Sequence, residues 1–188
     1  DGILEVTNAE VKRDITIKAE DRSRVYNGIE LTPELDGYSI AAGELFPGDQ
    51  IANVELSGSQ TDAGSGDAVV NQVVIMHDGV DVTENYVISR QNGTLTVTPK
   101  EAVITVNSYT KNYGTEYPVF EGTVAGLVNS DDLGTVTFQR NNSDRDKNNV
   151  GDEIGIGAEF TQNPNYTVTI VQGRLQIVST NENAVNAE

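Results

Sequence analysis

Residues 84–97, ENYVISRQNGTLTV, and residues 164–177, PNYTVTIVQGRLQI, carry one pattern twice. Each has an Asn-Tyr pair, an alternating run, a Gly and a second alternating run. Alternation with period 2 marks strands that bury one face. Asn92-Gly93 is the residue pair that suits a two-residue type I′ turn. The stretch therefore predicts a hairpin, with Ile88 opposite Val97 and with Tyr86 and Leu95 on the same face. From Gln172-Gly173 the same counting places Ile170 opposite Leu175 and Val168 opposite Ile177, with Tyr166 on that face. Residues 1–6, DGILEV, repeat the second half of the pattern once more.

Further landmarks recur in the same order on either side. Ile15-Thr16-Ile17 is matched with Ile104-Thr105-Val106, and Val25-Tyr26-Asn27-Gly28 with Asn112-Tyr113-Gly114-Thr115. Pro47-Gly48-Asp49 is matched with Asn129-Ser130-Asp131. Order preserved at this many points implies internal repetition. The expected organisation is a first repeat at 10–99 and a second at 100–180. Residues 1–9 are expected to be the last strand of a preceding repeat or a leader, and 181–188 a tail or linker. No stretch supports a helix of three turns. The expected fold is all-β: two tandem immunoglobulin-like β-sandwich repeats arranged end to end, with β-grasp-like repeats as the alternative. Strand residues resume at Val103, just past Lys100-Glu101, so the junction is short and predicts limited bending.

Composition narrows the function classes. Net charge is −17, from 29 acidic and 12 basic side chains, and such a surface repels phosphate backbones and anionic headgroups. Nucleic acid is not an expected partner, and no window has the length of apolar residues that membrane insertion needs. There is no Cys, so disulfides, thiolate metal sites and thiol nucleophiles are absent.

The residues that repeat also carry a resemblance. VYNG (25–28), GSQTDAGSGDAVV (58–70), DVTENYVI (81–88) and NGTLTVTP (92–99) resemble the YDG/MBG-type repeats of bacterial surface proteins. In the second unit, NYGTEYPVFEGTVAGLVNSDDL (112–133) is similar to the YGX variety. Asn27 stands where Asp is usual in these repeats. The resemblance implies tandem units in a large extracellular protein at the bacterial cell surface or cell wall. The function it implies is a non-enzymatic stalk, spacer or adhesion segment whose partners are neighbouring repeats of the same protein. The alternatives are a module that binds a host or cell-wall glycan or glycoprotein such as mucin, to which the family name alludes, and an accessory domain of a secreted hydrolase.

Four motif tyrosines, Tyr26, Tyr86, Tyr113 and Tyr166, sit at equivalent strand starts. That placement favours buried rings with hydroxyls bonded to backbone over a sugar-stacking set. Tyr109, Tyr117 and Phe120 remain as the candidate ligand-binding aromatics. Asp144, Asp146, Asn148 and Asp152 present oxygens at the spacing that opens a calcium loop. The loop lacks the sixth-position Gly and the twelfth-position Glu, and Arg145 and Lys147 interleave, so turn chemistry is the favoured reading. His77 is the only histidine; next to Asp78-Gly79 it reads as part of a turn, with no nucleophile motif beside it. No cofactor site and no enzymatic activity are expected. Lysines 12, 18, 100, 111 and 147 offer amines for isopeptide staples, but none lies in a recognisable buried strand beside an acid, so no staple is expected and the intact mass should show no loss of ammonia.

Overall fold

The computed structural model describes residues 11–180, so the strand expected at 1–9 and the tail expected at 181–188 lie outside the described residues. The chain divides into two units between Thr98 and Pro99. In the first, the strands are β1 (Arg13–Ala19), β2 (Arg22–Val25), β3 (Tyr38–Ala42), β4 (Asp49–Ser57), β5 (Gly64–His77), β6 (Val80–Asp81), β7 (Tyr86–Gln91) and β8 (Gly93–Thr98). The second holds β9 (Lys100–Val106), β10 (Tyr109–Asn112), β11 (Gly122–Ala125), β12 (Thr137–Arg140), β13 (Glu153–Glu159), β14 (Tyr166–Val171) and β15 (Gly173–Val178). The only helical pieces among the described residues are short 3₁₀ turns at Thr83–Asn85 and Asn142–Asp144.

Each unit is built from two sheets. In the first, one sheet has the order β3-β1-β7 and the other β2-β8-β5-β4, with β6 beside β5. The second repeats this plan apart from β6, as β11-β9-β14 and β10-β15-β13-β12. The expected all-β class, in two β units, is what the chain adopts. The strand order departs from the immunoglobulin arrangement, which is built from antiparallel hairpins and Greek-key connections. Here β1 pairs with β7, and β2 with β8, in parallel; so do β9 with β14 and β10 with β15.

The hairpin expected at Asn92-Gly93 does not form. β7 and β8 lie in different sheets, and Gly93 lacks the left-handed conformation of a type I′ turn. Gly93 is needed for another reason: a Cβ there would stand 2.5 Å from the carbonyl oxygens of Ala19 and Glu20. At Gly173 it would meet the Asn107 carbonyl oxygen at 2.2 Å. Both glycines mark the point where two neighbouring strands cross together from one sheet to the other. Side chains secure each crossing, since the Thr94 N–H donates to Asp21 Oδ1 (2.7 Å) and the Arg174 N–H to Ser108 Oγ (3.0 Å). The turn of type I′ character is instead at Asp78-Gly79, both with positive φ, which joins His77 to Val80.

Alternation fills the space between the sheets. In the first unit Ile15, Ile17, Val70, Ile75, Leu95 and Val97 are buried; in the second Ile104, Leu133, Ile154, Ile156, Leu175 and Ile177 are. Each such side chain contributes about 1.5–3 kcal/mol relative to exposure. Val70 and Val73 are an odd number of residues apart yet both are buried. A β-bulge explains it: Gln72 pairs with Glu55 and Val70 with Leu56, leaving Asn71 as the extra residue. Register also corrects one landmark. Arg13 faces Tyr86 as Lys100 faces Tyr166, so Ile17 corresponds to Ile104, and Ile15 to Ala102.

Candidate functional site

Two structural latches account for the most regular motif residues. Tyr86, 5% exposed, begins β7 and reaches across to the segment before β4. Its hydroxyl accepts the Phe46 N–H at 2.8 Å and donates to Asp49 Oδ2 at 2.5 Å. Tyr166 does the same in the second unit, accepting the Val128 N–H at 2.9 Å and donating to the Asp132 carboxylate. The partner of the second latch is Asp132, one residue beyond the Asp131 matched by sequence. These hydrogen bonds hold both carboxyls below the ordinary carboxylate range. For Asp49 the Tyr86 bond is the largest cause, opposed by desolvation and reinforced by His77 and Arg13. For Asp132 it is the Tyr166 bond, followed by the Asn129 N–H. Burial, and then the Asp49 carboxylate, push the Tyr86 phenol up.

Tyr26 is buried as expected, but Tyr113 is not: it is 52% exposed. Its backbone keeps the equivalent position, with Tyr113 N–H bonded to the Val178 carbonyl as Tyr26 N–H is to that of Thr98. The half-buried Tyr117 ring lies against the Lys111 ammonium (4.8 Å) and the Arg140 guanidinium (4.5 Å). Lys111 is itself buried on β10, which the sequence did not reveal. Its Nζ donates to the Asn112 carbonyl, so its neighbours are a ring and a carbonyl.

His77 joins the first latch. Its Nδ1 is 2.6 Å from Asp49 Oδ1, and its Nε2 lies 3.7 Å from Asp78 Oδ2. Beside it is an open recess of about 640 Å³ lined by Val11, Phe46, Val80 and Val82. The His77–Asp49 and Tyr86–Asp49 bonds together tie the β4–β5 ladder to β7.

The calcium candidates are held apart by different partners. Asp144 places Oδ1 2.8 Å from Lys147 Nζ and accepts the Gly155 N–H on Oδ2 at 2.7 Å. Those bonds, the Lys147 one first, lower its pKa. Asn148 Oδ1 accepts the Tyr117 hydroxyl, Asp152 Oδ2 accepts the Asn149 N–H, and Asp146 is exposed. No group of three metal-ligating side chains occurs among the described residues. The loop does surround a cation, but one of its own. The Arg140 guanidinium donates to the carbonyls of Asp144 (2.7 Å), Arg145 (3.0 Å) and Lys147 (3.1 Å). Arg140→Ala should therefore lower the stability of the second unit by about 2–3 kcal/mol, the scale of hydrogen bonds to a charged donor. Calorimetry should show one transition moving and the other unchanged.

Of the ligand-binding candidates, Tyr109 and Phe120 meet as a tilted pair with ring centroids 5.6 Å apart. The Tyr109 hydroxyl accepts the Glu121 N–H at 2.8 Å, so this ring secures the strand beside it. Tyr117 and Phe120 share an open recess of about 440 Å³ with Phe138, Arg140 and Arg145. Phe138 and Arg140 were not singled out by sequence, because they come from β12, whose short run carries no motif.

Comparison with known families supplies the remaining finding. Residues 102–176 match the MBG domain (YGX type). Neither the comparison with curated proteins nor that with solved structures found a match. The match spans β10 to β14 and includes the Tyr166–Asp132 latch, the Arg140 loop and the Gly173 crossing. The chain carries one MBG domain of the YGX type, at residues 102–176.

Proposed function

We propose that this chain is a non-enzymatic segment of an extracellular bacterial protein, in which consecutive β units act as a spacer or adhesion module. MBG domains are typical of bacterial surface proteins and are generally non-catalytic. The observation that supports the reading best is the repetition of one seven-strand plan in two consecutive units, down to the Tyr–Asp latch. A chain that repeats its structural bonds while varying its exposed residues is built for serial extension. Its acidic shell keeps neighbouring copies apart.

A second reading, binding of a host or cell-wall glycan, is favoured by the recess at Tyr117, Phe120 and Phe138, where aromatic faces lie beside two arginines. A glycan array that includes mucin-type sugars distinguishes the two. The spacer reading expects no specific hit from the full chain. A reproducible hit that Tyr117→Ala removes, with the second unit's melting retained, would replace it by the binding reading.

A further inference from the structure

The parallel pairings have a mechanical consequence. In the first unit the register runs from Arg13 opposite Tyr86 to Lys18 opposite Gln91, and from Arg22 opposite Leu95 to Val25 opposite Thr98. The sequence distance between partners is the same in both arms. β1-β2 and β7-β8 therefore form one continuous parallel ribbon, bent at Gly93, in which no residue is gained or lost across the bend. The second unit has the same ribbon, from Lys100 opposite Tyr166, through Tyr109 opposite Leu175, to Asn112 opposite Val178. Each ribbon is closed at its far end by a backbone bond, Tyr26 N–H to Thr98 O and Tyr113 N–H to Val178 O, both 2.8 Å.

The first strand of each unit and its last strand are thus direct neighbours running the same way. Tension along the chain pulls the first strand back towards its start and the last strand forward towards its end. In an antiparallel terminal pair the two ends would lie side by side, and hydrogen bonds would open one at a time. In this parallel ribbon the ends lie at opposite extremes, so all the bonds of an arm must stretch together. Both strands that take the force are also flanked on their other side. β1 sits between β3 and β7, and β8 between β2 and β5; β9 and β15 are placed likewise. The side-chain bonds at the bend, Thr94 to Asp21 and Arg174 to Ser108, resist sliding at the one place where the ladder turns.

We infer that each unit is a shear clamp: a fold whose bonding bears tension applied between its own two ends. Forced unfolding is governed by the barrier and not by the equilibrium stability, so the direction of pulling should matter far more than the identity of any one side chain. This inference rests on strand pairing and the bonds at the bend, and holds whether or not the chain serves as a spacer; failure of either leaves the other standing.

The absence of cysteine allows handles to be attached at chosen points of the full chain. Lys12→Cys with Pro99→Cys pulls the first unit along its ribbon. Ile29→Cys with Pro99→Cys pulls from one end of the same ribbon and peels β2 from β8. Ile29 and Lys12 are exposed, and unchanged thermal melting of both variants shows that each folds. At one loading rate, single-molecule unfolding of the first pair should require several-fold more force than that of the second. Pro99→Cys with Thr180→Cys, against Glu116→Cys with Thr180→Cys, should give the same order for the second unit. Equal forces in the two directions in either unit would overturn the clamp.

Discussion

Gly93→Ala is expected to unfold the first unit or to strip it of most of its stability. The added methyl carbon would sit 2.5 Å from two carbonyl oxygens, those of Ala19 and Glu20, and both belong to backbone that cannot swing away. Relief requires parting the two strands at the bend, which breaks the ribbon and separates β8 from β2. A loss of about 4 kcal/mol or more fits this kind of backbone collision, and most of a small unit's stability is of that order. Gly79→Ala is the control. It has φ +84° but nothing within 4 Å of the new carbon, so it should cost only the left-handed strain of about 1–2 kcal/mol. Calorimetry of the full chain tests both, with the second unit's transition as internal reference. A first unit that melts normally in Gly93→Ala would show that the bend can open at little cost.

Tyr86→Phe is expected to cost the first unit about 1–3 kcal/mol, because it leaves the Phe46 N–H without its acceptor and takes the donor from a nearly buried carboxylate. The loss has a pH signature. The folded-state pKa of Asp49 is depressed, chiefly by Tyr86, so its contribution is fully present above the ordinary carboxylate value of about 4 and is lost as pH falls through the folded value. In Tyr86→Phe the carboxyl moves back towards its ordinary value, and the variant has less to lose. The stability gap between the two proteins should therefore narrow as pH falls from about 6 to 2, when urea midpoints are compared. Tyr166→Phe should behave the same way in the second unit, since Asp132 is shifted in the same direction by the same bond. A gap that stays constant over this range would mean that the carboxylate is not the partner that matters.

Asp49, Asp132 and Asp144, whose carboxyl pKa values are lowered chiefly by hydrogen bonds, each join one strand or loop to another. Arg140 is used the same way, spanning β12 and the carbonyls of the loop that follows it. With one short 3₁₀ turn per unit, the ends of strands are secured by such side chains where other folds use helix packing.

The sequence by itself determined that the chain is β throughout, that it carries one plan twice, and which residues recur in that plan. Period-2 alternation and the order of motif residues are local properties, and local properties survive any choice of partner strand. Only the tertiary structure decided which strands pair. A glycine required because a carbonyl passes within 2.5 Å is indistinguishable, in sequence, from one required for a left-handed turn, so Gly93 read as a hairpin and proved to be a crossing. Asp132 could not be told from Asp131 until the Tyr166 hydroxyl selected one of them. The dense oxygens of the Asp144–Asp152 loop make a cation site conceivable in sequence, while its missing Gly and Glu favour turn chemistry. That Arg140 supplies the positive charge depends on backbone carbonyls, which every residue has and no sequence can mark.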